Sequence, residues 1–321
     1  MSLPTLSTYT WRTLQRADLP AFHTLQLILE ETDLIPIDSL ADLENQFDDS
    51  WSKPAEHTVV AFTDDGQMVG FGRTFFNPEA GAMPRMVADV VTHPAHRADG
   101  ALENALQAWT DAQAQARLPG GVGEIQQFMP KHLTEAQARL ATRGYTPIRY
   151  FYRMRRDLSE PVPEPVWPEG LTVRAYTPDL NRAMMQAFNE AFLDHWNFEP
   201  ITVEDWEMFF MRREDFRPEM SFVVFDGEEL VAFSFNVVKV EENARLGLQQ
   251  GWIQDLGTRR AWRKRGLATA LLCHSMRAFQ AAGLDYAGLG VDAANPTGAL
   301  GIYQRLGFAP TREFVCLSKT I

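Results

Sequence analysis

The sequence predicts an α/β fold made twice, as two tandem domains in which strands and helices alternate. Three observations predict it. Residues 252–272 read as a strand, a basic loop and a helix, the arrangement that brings a helix start toward an anion. The same order of segments runs through both halves. Gly100 and Gly266 stand 166 positions apart, as do Asp89 and Asp255, and Arg97 and Arg263. Between the halves lie Pro161, Pro163, Pro165 and Pro168, a stiff joint.

In the first half, residues 11–14 read as a strand, and Asp18 caps a helix running toward Glu30. Residues 58–62 and 68–72 flank an Asp64-Asp65-Gly66 turn and read as a hairpin. A strand at 86–91 leads through His93-Pro94 to Gly100, and a helix follows from Ala101 to about Arg117. A strand near 124–128, a helix near 134–143 and Gly144-Tyr145 close the half. The second half repeats this with a strand at 172–175, a helix opened by Asp179, and strands at 222–225 and 230–233 around Asp226-Gly227. The strand, loop and helix of 252–272 come next, then a buried strand at 288–292 and the string 295–308. The expected boundaries are a domain at 1–157, a Pro-rich linker at 158–170 and a domain at 171–321.

The loop carries the chemistry. Arg259, Arg260, Arg263, Lys264 and Arg265 crowd before a helix, in a chain of net charge −12. A helix start is already positive and holds unpaired N–H groups. More cations there are unfavourable unless an anion, usually phosphate, joins them. Gly266 and Ala268 let the backbone approach it closely. Taken alone, the loop fits a solvated basic turn equally well. It is neither a dinucleotide fingerprint, which needs a third Gly, nor a P-loop, which needs Gly-Lys-Ser/Thr.

Downstream residues decide between these readings. Arg263-x-x-Gly266-x-Ala268, then Val291, Asn295 and Ile302-Tyr303-Gln304-Arg305-Leu306-Gly307-Phe308, resemble in order and spacing the acetyl-CoA motifs of the GNAT superfamily of N-acetyltransferases. The resemblance covers roughly residues 170–321. It implies a mixed, mostly antiparallel sheet with helices on both faces, and acetyl-CoA as co-substrate. The pyrophosphate would lie on Arg263, Lys264, Arg265, Gly266, Leu267, Ala268 and Thr269. Leu256, Gly257, Thr258 and Asn295 would line the rest of the cofactor, and Arg259 would reach another CoA phosphate. The tandem arrangement with one degenerate copy is similar to that of mycothiol synthases, a branch of the superfamily.

Tyr303 would be the general acid that protonates the leaving thiolate, and it too would touch the cofactor. The backbone N–H near Leu256 would polarise the thioester carbonyl. Asn295 before Pro296 also reads as a helix cap, with Tyr303 two turns along. Some family members place a basic Glu fourteen residues before the loop Gly, where this chain has Trp252. Asp255 or Asp292 is then the candidate base, with Glu241, Glu242 and a water chain to solvent left open, although the spacing from Trp252 turns Asp255 to the opposite face unless a bulge intervenes. Trp252, Glu190, Asp194 and Trp196 are the candidate acceptor-binding residues, acids and aromatics suited to a cationic amine. The same acids and rings would equally suit a helix start and a core stripe.

The first copy has lost this chemistry. Arg259, Arg260, Lys264 and Arg265 become His93, Pro94, Ala98 and Asp99, which puts an acid where pyrophosphate would lie. Ala268 becomes Leu102, expected to obstruct the approach, and Tyr303 falls opposite Leu140. That copy reads as a structural partner.

Composition sets limits. With 45% hydrophobic and 22% charged residues, the chain has the make-up of a soluble globular protein. A pI near 5.1 argues against nucleic acid as a partner. Two cysteines make no disulfide framework, and no stretch approaches the ~18 apolar residues of a membrane span. With no signal pattern, a cytoplasmic protein is expected, with no membrane partner and no metal. The expectation is an N-acetyltransferase that moves an acetyl group to a small-molecule primary amine in a ternary complex, its oligomeric state left open. The alternative is a CoA-binding regulatory or assembly protein without turnover, favoured by the missing Glu and opposed by Tyr303.

Overall fold

A computed structural model describes residues 2–47, 53–76 and 84–321. The chain divides into two compact units, Met1–Tyr150 with Phe314–Ile321, and Phe151–Glu313.

The first unit contains β1 (Thr10–Arg12), α1 (Leu19–Asp33), α2 (Leu40–Phe47), α3 (Pro54–His57), β2 (Thr58–Phe62), β3 (Met68–Phe76), β4 (Arg85–Thr92), α4 (Ala101–Arg117), β5 (Glu124–Pro130) and α5 (Thr134–Thr142). The second begins inside β6 (Thr146–Asp157). It continues with β7 (Leu171–Ala175), α6 (Asn181–Phe192), α7 (Val203–Trp206), β8 (Phe222–Asp226), β9 (Glu229–Val237), α8 (Val240–Leu246), β10 (Gln250–Thr258), α9 (Leu267–Ala281), β11 (Tyr286–Asp292), α10 (Ala299–Arg305) and the start of β12 (Ala309–Thr320).

Each unit has the same sheet. In the first, β1, β2, β3 and β4 pair antiparallel, β5 runs parallel to β4, and Phe314–Thr320 of β12 closes antiparallel on β5. In the second, β7, β8, β9 and β10 pair antiparallel, β11 runs parallel to β10, and Phe151–Asp157 of β6 closes antiparallel on β11. The central strands are continuous apolar runs because both faces are covered. Every residue of β2 is buried, as is β9 from Leu230 to Val237. α4 and α9 each start behind a left-handed glycine, Gly100 at φ 67° and Gly266 at φ 85°, a conformation costly for any residue with a Cβ. α9 buries Leu267, Leu271 and Ser275 at helical spacing against the sheet.

The division differs from the expected boundaries. The break falls after Tyr150 rather than at 157, and Phe314–Ile321 group with the first unit. The cause is that β6 and β12 are long strands whose far ends find partners in the other unit's sequence range. The expected linker also does not stand free. Leu158 and Val162 are buried in the second unit's core, and the Leu158 carbonyl accepts from Gln280 Nε2 at 2.6 Å. Arg156 Nη2 donates to the Pro161 carbonyl at 2.8 Å.

Candidate active site

The site of the second unit is made by two parallel strands that part. β10 and β11 pair from Gln250–Tyr286 to Ile253–Leu289 and no further. Beyond that point β10 stays on β9 as far as Thr258, and β11 stays on β6 as far as Asp292. A wedge opens between them. The N–H of Arg259 donates to the Val231 carbonyl at 2.9 Å, and Gly257 sits opposite Phe233. Bonded partners alternate along an antiparallel pair, so the N–H groups of Leu256 and Thr258 turn away from β9 into the wedge. The Thr258 hydroxyl is buried there without a hydrogen-bond partner.

The basic loop lies at the wedge's mouth. Lys264 at φ 63° and Gly266 at φ 85° turn the chain through two left-handed residues into α9, whose start has no side-chain cap. Such a turn points successive N–H groups to one side, a concavity for an anion. Lys264 and Arg265 are exposed beside it, and the Arg265 guanidinium lies 4.4 Å from the Trp262 ring centroid. Leu267 is buried in the core, so of the helix start only Ala268 and Thr269 keep accessible surface.

Two arginines expected at the phosphates are engaged elsewhere. Arg259 donates to Glu190 at 2.7 Å and pairs with Glu229 at 2.8 Å. Arg263 donates to Asp194 at 2.6 Å, to the Ala191 carbonyl at 2.9 Å and to the Thr258 carbonyl at 3.3 Å. Arg260 also pairs with Asp194, and the hydrogen bonds from Arg263 and Arg260 hold that carboxyl below its usual range. Glu190 and Asp194, expected to bind the acceptor, thus both pair with the loop's own arginines.

Gly257 has a packing reason of its own. A Cβ there would lie 2.2 Å from Cζ of Phe233, a fully buried ring. Gly257→Ala is expected to destabilise the protein by about 1–3 kcal/mol, since overpacking a core costs that much. In a melt this reads as a fall of about 2–10 °C. An unchanged midpoint would mean that the glycine serves the ligand alone.

Two groups with raised pKa values lie near the wedge, Asp255 on β10 past its last pair with β11 and Tyr303 on α10. A register shift between Ile253 and Asp255 marks a bulge on β10. The bulge puts Asp255 opposite Phe235, on the face shared by Trp252, the exception that the spacing argument allowed for. Asp255 keeps some accessible surface in a deep setting. Burial pushes its carboxyl up to about 7, and the Arg213 charge pulls it down only in part. Tyr303, on α10, is 9% exposed. Burial raises its hydroxyl to about 12, and the Asp255 charge adds to the rise. Asp292 instead closes a turn, its Oδ1 accepting the Ala294 N–H at 2.9 Å.

Asn295 does not cap α10. The helix begins at Ala299 behind Gly298 at φ 74°, so Tyr303 lies about one turn in. Asn295 Oδ1 accepts from the Thr297 N–H and hydroxyl at 2.9 and 2.7 Å, a local turn completed before the helix starts. Trp252 lies against β11, where a Cβ on Gly288 would fall 2.4 Å from its ring. The Arg153 guanidinium covers Trp252 at 4.5 Å, and Arg153 pairs with Glu242 at 3.1 Å. Trp196 is part-exposed, its ring 6.0 Å from Phe151. Arg153 and Arg213 carry no motif, and nothing in their spacing announces them. Among the described residues no group of His, Cys, Asp or Glu could hold a metal.

The first unit keeps the wedge without the grip. β4 and β5 pair only from Arg85–Glu124 to Val87–Gln126, and a cavity of about 830 Å³ lies where they part. At the start of α4 the Ala101 N–H donates to Asp99 at 2.9 Å, so a carboxylate takes the anion's place. Leu102 does not obstruct the opening. It is fully buried against Gly70 in the core.

Residues 181–308 match the acetyltransferase (GNAT) family. The mycothiol acetyltransferase of Streptomyces scabiei is 33% identical over 259 residues, 78% of this chain and 76% of that protein. That of Streptomyces avermitilis is 34% identical over 229 residues, 69% of this chain and 68% of that protein. Among solved structures, a GCN5-related N-acetyltransferase from Sphaerobacter thermophilus is similar with a TM-score of 0.76 and 26% identity, over 99% of this chain and 97% of that one. A tandem GNAT protein from the clavulanic acid biosynthesis pathway shares the fold at a TM-score of 0.72 and 14% identity, over 97% and 98%.

Proposed function

The chain belongs to the GNAT family of acetyltransferases, in the tandem branch that the mycothiol acetyltransferases represent, and is an acetyl-CoA-dependent N-acetyltransferase; on that premise we propose that its second unit passes the acetyl group directly to the primary amine of a small molecule in a ternary complex. What supports this reading is the wedge between β10 and β11, with Asp255 on β10 beyond the last pair and Tyr303 close enough to feel its charge.

The CoA pyrophosphate sits on the N–H groups of the 264–269 turn, with Lys264 and Arg265 supplying charge. The thioester arm enters the wedge, and the Leu256 N–H polarises its carbonyl. The amine approaches from the Trp252 face. Its nitrogen bonds to the acetyl carbon, the carbon–sulfur bond breaks, the amine proton passes to Asp255 and the thiolate takes the Tyr303 proton. Trp252 and Trp196 offer part-exposed rings to the acceptor. The relatives are named for mycothiol, a small molecule, which supports an acceptor of that class. Asp99 at the α4 start and Leu140 in place of Tyr303 support a structural role for the first unit. Acetyl-CoA as donor and the free, buried thiols of Cys273 and Cys316 support a cytoplasmic setting. Among the described residues no helix is long and apolar enough to cross a membrane.

The test is thiol release from acetyl-CoA across a panel of small amines and one Lys-bearing peptide. Release that depends on a small amine, and is lost in Lys264→Glu/Arg265→Glu, is the expected result. Release with the peptide alone would overturn the small-molecule acceptor. Release that survives the double variant would move the cofactor elsewhere.

A further inference from the structure

Arg263 opens the string that marks the phosphate loop, yet its guanidinium points into protein. It is held by Asp194 two residues past α6, by the Ala191 carbonyl at that helix's end, and by the Thr258 carbonyl at the end of β10. One side chain thus ties a helix end, a strand end and the loop together.

The duplication supplies a comparison within the same chain. Arg97 stands where Arg263 stands, and Thr92 where Thr258 stands. Arg97 donates to Asp33 at the end of α1 at 2.9 Å and to the Thr92 carbonyl at 2.7 and 3.0 Å. That copy has none of the other loop cations, and Asp99 fills its helix start. A phosphate ligand has no work there, but a brace for the loop does. The arginine, the acid at the end of the unit's first helix and the strand-end carbonyl are all present in both copies.

We infer that Arg263 and Asp194 form a clamp that positions the phosphate loop, and that Arg263 is not itself a phosphate ligand. The inference rests on the reading of 264–269 as the pyrophosphate site. The clamp fixes where the loop N–H groups point, and ligand affinity depends on that orientation within about 10–20°.

The two roles predict opposite signs. Asp194→Asn removes the carboxylate that pairs Arg263 and Arg260, leaving Arg263 only its two backbone carbonyls. If Arg263 is a ligand, KM for acetyl-CoA falls or stays unchanged. If it is a brace, KM rises, by about 10-fold for a loss of about 1.4 kcal/mol, with kcat at saturation within about 2-fold. Arg263→Gln then raises KM by a similar factor and the double variant adds little, because paired residues share one interaction. Asp194→Glu, which keeps the pair, returns KM toward wild type and serves if Asp194→Asn does not fold. Asp33→Asn lowers the thermal midpoint and leaves KM alone. A KM that falls or stays unchanged with Asp194→Asn, or full additivity in the double variant, overturns the clamp. Lys264→Glu raises KM under either role; no rise there would remove the phosphate-loop reading itself.

Discussion

Replacing Tyr303 by Phe is expected to lower kcat by about 10²-fold or more, with KM for acetyl-CoA changed by no more than about 2-fold. The ring is 9% exposed and packs 6.1 Å from Phe308, so Phe fills the same space and only the hydroxyl is lost. Burial holds that hydroxyl's pKa at about 12, and the Asp255 charge helps hold it there. It therefore stays protonated across the working range and can give its proton only when a strong base, the departing thiolate, forms beside it. Steady-state thiol release at saturating acetyl-CoA measures the effect. A change below about 3-fold would assign the proton to water.

Asp255→Asn is expected to lower kcat/KM by about 10²–10⁴-fold at pH 7, the range for losing a positioned base. Asn keeps the shape and removes the proton acceptor. The same substitution should not destabilise the protein above neutral pH. The carboxyl's folded pKa, about 7, lies above its ordinary 3.8 because burial disfavours the charge. Its contribution to stability is therefore full below about 4 and is lost as pH rises through about 7. The neutral amide has no such loss. The variant's midpoint relative to wild type should thus be higher at pH 8 than at pH 5. Parallel midpoints at the two pH values would mean that Asp255 is not buried as a carboxyl.

The duplication and the strand, basic loop and helix of 252–272 were legible in the sequence because they are local. Glycines, cations and apolar runs repeat at a fixed offset, and Gly100 and Gly266 take the same left-handed turn into a helix. What could not be read depends on partners far away in sequence. Arg263 and Asp194 meet across 69 positions, so a basic run looked wholly available to phosphate. Gly257 was expected only to line the cofactor, and the ring of Phe233 that needs its missing Cβ lies on another strand. The bulge that puts Asp255 on the face of Trp252 is one extra residue at Gln254, and no residue type there announces it. Asn295 read as a cap because Asn-Pro commonly caps, but its side chain closes a turn on Thr297 first. The boundaries shifted because β6 and β12 are each twelve residues long and continue past the point where sequence segments end.

The pH dependence of kcat/KM for wild type and Asp255→Asn, side by side with one acceptor, decides whether Asp255 is the base. Wild-type activity should rise with pH through a limb near pH 7, as the Asp255 carboxyl ionises and becomes a base. In Asp255→Asn that limb should vanish, while the limb of the acceptor's own amine, common to both enzymes, persists at higher pH. An unchanged limb near pH 7 in the variant would contradict Asp255 as the base and leave the wedge without its proton acceptor.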